Sequence, residues 1–273
     1  MVRSTRRFQC ALTALALIGA SCGGASASTL PLESTTTSTT APTTTESIAA
    51  PRTTSSVAPT TTTIPDPYRT LIATARDATS YLTAYDGPDG LPIALPFRVS
   101  NPHQFEGPLT LMVTEGDLGD DWVKVQLPIR PNETEAWIPA SDYVLSESRI
   151  RAEVELSSTT VRVYDGDELI AESQAAIGTE KTPTPVGTFF VAAKRLNPPE
   201  ESYLGTWAVV LSSYSEVLPS FSGGLPVIAI HGTNNPDAEL GQAISNGCVR
   251  VPEEVIQFIA EHVPLGAPVE ISA

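Results

Sequence analysis

Cys248 and His231 are the two side chains of this chain best suited to covalent chemistry. Cys248 stands in Ser245-Asn246-Gly247-Cys248-Val249-Arg250 and is the only cysteine beyond residue 22. A lone thiol has no intramolecular disulfide partner, so it is either a small buried hydrophobe or a nucleophile. Its neighbours favour the nucleophile. Gly247 allows a tight turn just before the thiol, where backbone N–H groups can face a developing oxyanion. Pro252 and the two acidic residues after it read as the first turn of a helix, which places the thiol on a loop just ahead of that helix. His231 ends the apolar run 225–230, whose unbroken character predicts a strand buried on both faces. An imidazole at the end of such a strand is firmly held and can still reach an open cleft as a base. The bland alternative, that the two residues are unrelated, is the commoner outcome for an isolated Cys and His. His103 lies in a Pro-rich loop context, and His262 lies beside the apolar stripe of the last helix and reads as structural.

The elements around this pair are mostly β. Ala152, Val154 and Leu156 alternate, as do Val161 and Val163. Asp165-Gly166 signals a hairpin, and the alternation resumes from Leu169 to Ile177, which together make a β-meander. Residues 178–187 form a Thr/Pro-rich loop, and a further strand starts at 189. Residues 194–224 read as long and irregular, broken by Pro198, Pro199, Gly205, Pro219, Gly223 and Gly224, in the manner of a lid or binding loop. Tyr203, Trp207, Tyr214 and Phe221 give it aromatic surface. Val255, Ile256, Phe258, Ile259 and Val263 form a helical stripe ended by Pro264, and a last strand follows at 267–271.

Upstream, residues 68–148 predict a small β domain. Asp86-Gly87-Pro88-Asp89-Gly90 is a turn signal, and 109–113 is a short apolar strand. Val123, Val125 and Leu127 alternate with Trp122, Lys124 and Gln126, the period of a half-buried strand. Arg130-Pro131-Asn132-Glu133 reads as a hairpin turn leading to Trp137-Ile138. Short strands joined by Gly/Pro turns favour a small barrel or sandwich. Trp122 and Trp137 either line a groove or fill the core. No candidate nucleophile lies in this region, so its removal is expected to leave the chemistry intact.

Ile230-His231-Gly232-Thr233 followed by Ser245-x-Gly247-Cys248-Val249-Arg250 resembles the L,D-transpeptidase catalytic domain of the YkuD type. Thr182-Pro183-Thr184-Pro185-Val186-Gly187-Thr188-Phe189 and Gly266-x-Pro268-Val269 extend the resemblance over residues 149–273. Many members carry His before the Gly-Cys pair, where this chain has Asn246. The resemblance implies a β-sandwich-like catalytic domain with one clear helix and a lid loop. It also implies a Cys248 thiolate that attacks the L-to-D peptide bond of a peptidoglycan tetrapeptide stem, releases D-Ala and forms a thioester. An amine on a neighbouring stem then closes a 3→3 cross-link. His231 is the implied base, the backbone oxygen of Gly232 holds its other nitrogen, and the backbone N–H groups of Gly247 and Cys248 form the oxyanion hole. Arg250, Tyr214, Thr233, Ser245 and Asn246 are the implied substrate-binding residues, Arg250 being equally readable as a structural ion-pair partner. Carbapenem β-lactams are expected to acylate the same thiol. The stretch from Trp122 to Ile138 resembles a bacterial SH3-like domain, which makes residues 68–148 an SH3-like unit before the catalytic domain.

The formal charge is −15, and removal of Arg3, Arg6 and Arg7 with a leader takes it to −18. A basic nucleic-acid groove is therefore not expected. Residues 1–28 read as an export signal, with a positive start and an apolar core from 11 to 20, too short for a membrane span. Ala25-Ser26-Ala27 fits a signal-peptidase site. Ile18-Gly19-Ala20-Ser21-Cys22 resembles a bacterial lipobox, in which Cys22 carries a lipid anchor to the membrane. Residues 29–67 are Thr/Ser/Pro-rich and cannot bury enough surface to offset their ordering entropy, so they read as a disordered tether. Both readings place the protein outside the cytoplasm. Three scattered histidines and one mature thiol suggest no metal site and no cofactor. Two other functions compete with the transpeptidase: an L,D-carboxypeptidase using water as acceptor, and a non-catalytic wall-binding protein.

Overall fold

The computed structural model describes residues 66–273. The leader, Cys22 and the Thr/Ser/Pro-rich stretch as far as residue 65 lie outside the described residues.

The first region is a five-stranded antiparallel sheet. Its strands are β1 (Thr70–Ala75), β2 (Thr110–Glu115), β3 (Trp122–Gln126), β4 (Glu135–Pro139) and β5 (Tyr143–Ser148), in the spatial order β4-β3-β2-β1-β5. Val123 and Val125 are buried while Trp122 and Lys124 are half-buried, as the alternation predicts. Trp122 meets the edge of Tyr85 at 5.0 Å between ring centroids, and its Nε1 donates to Asp89. Gln126, expected on the outer face, is buried. Its amide bridges to the next region: Nε2 donates to the Thr188 carbonyl at 2.6 Å, and Oε1 accepts from Ser212 Oγ at 2.8 Å.

The second region holds β6 (Ile150–Glu155), β7 (Thr160–Asp165), β8 (Glu168–Gln174), β9 (Ile177–Gly178), β10 (Gly187–Leu196), β11 (Trp207–Tyr214), β12 (Val227–Gly232), β13 (Ala243–Ser245), β14 (Val249–Val251) and β15 (Pro268–Ser272). A four-residue helical turn, α1 (Pro236–Glu239), and one longer helix, α2 (Glu253–His262), complete it. Eight strands form one sheet in the order β14-β12-β11-β10-β15-β6-β7-β8, and β9 and β13 pair separately. The mostly β architecture with one clear helix is as expected. One reading is corrected. Residues 194–224 are not irregular throughout, because β10 runs on to Leu196 and β11 is a fully paired, almost wholly buried strand. Only four consecutive strong apolar residues, 208–211, mark it, and flanking Pro and Gly hide it.

Strand β10 connects everything. From Gly187 to Phe190 it pairs with β15; from Val191 onward it pairs with β11, with a register shift between Val191 and Ala193. Such a shift bends a strand and sharpens its twist, so the sheet folds over on itself around one core. Phe189 and Val191 enter that core with Val209, Ile230 and Val269. The intervening Phe190 and Ala192 point the other way, into the core of the first region beside Leu109, Leu111 and Val125. Successive strand residues face opposite sides, so one strand supplies two cores. Residue 149 therefore marks a change of sheet, not a break in packing. Helix α2 closes the core of the second region with Ile256, Ile259 and Ala260.

Candidate active site

Parallel pairing of β12 with β14 sets the positions of the two candidate residues. Ile230 stands opposite Val249 and His231 opposite Arg250. One step further back, Cys248 falls opposite Ala229. With a period of two, Ala229, His231, Cys248 and Arg250 share one face, while Ile230, Val249 and Val251 point into the core. The thiol and imidazole are thus diagonal neighbours 17 positions apart in sequence. Gly232 is required because the backbone of Gly205 crosses it: a Cβ there would lie 2.8 Å from the Gly205 Cα.

His231 is buried, and its Nδ1 lies 2.7 Å from the Gly232 carbonyl. A carbonyl only accepts, so Nδ1 carries the hydrogen and Nε2 keeps its lone pair for a proton. Burial pulls the imidazole below the ordinary histidine value, against the Gly232 bond, which raises it. Burial also pushes the Cys248 thiol up, offset in part by the Ala229 backbone and the Arg250 charge. Both shifts favour the neutral forms of the imidazole and the thiol.

The loop before the thiol is braced from within. Gly247 has φ +114°, and a Cβ there would lie 2.8 Å from Ile228 Cδ1, so glycine is needed on both counts. Its N–H donates to Ser245 Oγ at 3.1 Å, and that hydroxyl donates to the Cys248 carbonyl at 2.5 Å. The expected role of the Gly247 N–H as an oxyanion donor is corrected on this ground: its one hydrogen is committed to Ser245. The Thr/Pro-rich loop supports the same turn. Thr182 Oγ1 donates to the Ser245 carbonyl at 3.0 Å, Thr179 N–H donates to it at 3.0 Å, and Thr184 Oγ1 accepts from Gly178 N–H at 2.9 Å. A Cβ on Gly178 would come within 2.4 Å of the Thr182 carbonyl. Cys248 faces a pocket lined by Ser215, Leu218, Phe221, Pro226 and Asn246. Its roof is the loop 215–226, which overlaps the end of the expected lid.

With this geometry in place, the chain can be compared with known proteins. Residues 149–271 match the family profile of the YkuD L,D-transpeptidase catalytic domain. The chain is 32% identical over 122 residues to the YkuD protein of Bacillus licheniformis, covering 45% of this chain and 65% of that protein. It is 29% identical over 119 residues to YkuD of Bacillus subtilis, covering 44% and 63%. The chain thus spans somewhat less than two thirds of these relatives. Among solved structures, the catalytic domain of the Enterococcus faecium L,D-transpeptidase aligns over 45% of this chain and 95% of its own length, at 22% identity and a TM-score of 0.33.

Within the matched segment and its surroundings, the expected substrate-binding residues separate. Asn246 is exposed and borders the Cys248 pocket. Ser245 is buried as the brace just described. Thr233 is buried, and its hydroxyl donates to Glu239 at 2.6 Å. Arg250 pairs with the same carboxylate at 2.9 Å, which favours its reading as an ion-pair partner. Tyr214 is corrected outright: it is buried, its hydroxyl donates to the Pro128 carbonyl at 2.8 Å, and its ring meets the edge of Phe97. Sequence reasoning passed over Glu239, which ties Thr233 to Arg250, and Thr182, which supports Ser245. Glu239 carried no signal, whereas Thr182 lay inside a motif already singled out.

Proposed function

We propose that this protein is a peptidoglycan L,D-transpeptidase acting through a Cys248 thioester. The observation that carries the reading is the shared face of Cys248 and His231 beneath the 215–226 roof, in a segment matching the transpeptidase domain. His231 Nε2 takes the thiol proton as sulfur attacks the carbonyl between the L and D residues of a tetrapeptide stem. The tetrahedral oxyanion collapses, the C–N bond breaks, and the imidazolium returns the proton to the leaving D-Ala amine. A side-chain amine of a second stem attacks the thioester, gives up its proton to His231 and releases the thiol, leaving a 3→3 cross-link. The Cys248 N–H is the oxyanion donor left by the Ser245 brace. The same thiol opens carbapenem rings and retains the product. The place of action in this reading is outside the cytoplasm, with the chain either released after its leader or held to the membrane through Cys22.

Incubation with a disaccharide-tetrapeptide and mass analysis tests the reading. Cross-linked dimer with loss of one D-Ala is expected. Tripeptide without dimer makes the protein an L,D-carboxypeptidase instead, and unreacted substrate together with an unmodified Cys248 makes it a non-catalytic wall protein.

A further inference from the structure

The roof over Cys248 is held from the first region. Asn132 binds both backbone groups of Tyr214, the residue from which the roof departs: its Nδ2 donates to the Tyr214 carbonyl, and its Oδ1 accepts from the Tyr214 N–H, each at 2.9 Å. Arg130 Nη1 donates to the Leu218 carbonyl inside the roof at 3.3 Å. Little else restrains the roof beyond its own base. Ser215 N–H donates to the Pro226 carbonyl at 2.8 Å, and Phe221 and Gly224 pair with each other. Val217, Phe221 and Leu225 are exposed at 53%, 50% and 41%. An open cleft lined by Arg130, Pro131, Asn132 and Glu216 separates the roof from the first region except at these contacts. A loop with so few buried apolar contacts takes its position from its anchors.

We propose that Arg130 and Asn132 are positioning residues of the transpeptidation site, fixing how far the 215–226 roof stands from Cys248 and hence which acyl donors reach it. The inference rests on the functional reading of Cys248 given above. It is tested on the full chain by alkylating Cys248 with small iodoacetamide and with bulky N-phenylmaleimide, following the Cys248 peptide by mass spectrometry. In Arg130→Ala and Asn132→Ala, the maleimide-to-iodoacetamide rate ratio should rise about five-fold, the scale on which losing one hydrogen bond shifts a two-state loop. Arg130→Lys, which keeps a donor for the Leu218 carbonyl, should restore the wild-type ratio. KM for the tetrapeptide should change more than kcat. An unchanged ratio in both alanine variants, or no rescue by lysine at an unaltered melting temperature, overturns the proposal. Should Asn132→Ala fail to fold, Arg130→Ala with its lysine rescue decides alone. A shifted ratio in a protein that never acylates on tetrapeptide leaves the roof assignment standing and removes the transpeptidase reading.

Discussion

Desolvation lowers the His231 imidazole and raises the Cys248 thiol, and that sets their pH behaviour. Because the folded imidazole binds its proton less tightly than an ordinary histidine, the base stays unprotonated to lower pH than usual. Acylation by a carbapenem should therefore rise with pH around a midpoint below 6.5, read from second-order rates by intact-mass analysis. Simple alkylation of Cys248, which needs the thiolate, should run with a midpoint above the ordinary thiol value of about 8.5. The linkage sign follows from the same depression. Above pH 6.5 folded and unfolded imidazoles are both neutral; below it the unfolded state takes the proton first, so His231's share of stability is lost as pH falls towards the folded value. His231→Ala should slow acylation by about 10²–10⁴-fold, the span of a general base. An unaltered rate would move the base elsewhere. Gly247→Ala meets both a left-handed φ and Ile228, and should leave Cys248 unacylated in a protein that still folds.

At the scale of elements, the thiol loop is stabilised by a loop far from it in sequence. Strands β9 and β13 lie side by side, and Thr182 and Thr179 both reach the Ser245 carbonyl. Thr184 is buried with its hydroxyl on the Gly178 N–H. Thr184→Val keeps the shape and leaves that buried N–H without a partner, which should cost about 1–3 kcal/mol. Chemical denaturation of the variant measures this. A near-neutral result would mean that the motif's threonine serves something other than the loop's own bonding.

Over the whole molecule, β10 makes two sheets into one packed body. Phe190→Ala removes a fully buried ring from the first region's core although the residue belongs to a strand of the second region, and should destabilise by about 3–5 kcal/mol. The two regions should still unfold in one transition by calorimetry and by fluorescence of Trp122 and Trp207. A chain starting near residue 149 exposes Phe190 and Ala192 and strips Gln126 from Ser212. Its expected outcome is aggregation or a loss of carbapenem acylation, against full acylation of a chain starting at 66. Two separate melting transitions would show the regions to be independent after all.

Local pattern sufficed for much of this protein. The alternation of 150–165, the stripe of α2, the apolar run before His231 and the Gly-Cys turn are all signals carried by residues close in sequence, where period and backbone freedom determine local structure directly. The candidate nucleophile and candidate base stood out for the same reason, each marked by its immediate neighbours. Tertiary structure decided what those neighbours could not. Strand β11 gains its burial from β10 and β12 rather than from a long apolar run. Tyr214 looked like cleft surface until Asn132 and Pro128, more than 80 residues away, enclosed it. Gln126 and Phe190 changed surroundings because a second sheet packs where solvent or a single core was expected. The Gly247 N–H was lost to the oxyanion because Ser245 turns its buried hydroxyl inward. In each case the partner is remote in the chain, and a side chain's environment is set by what the fold brings against it, not by the residues beside it.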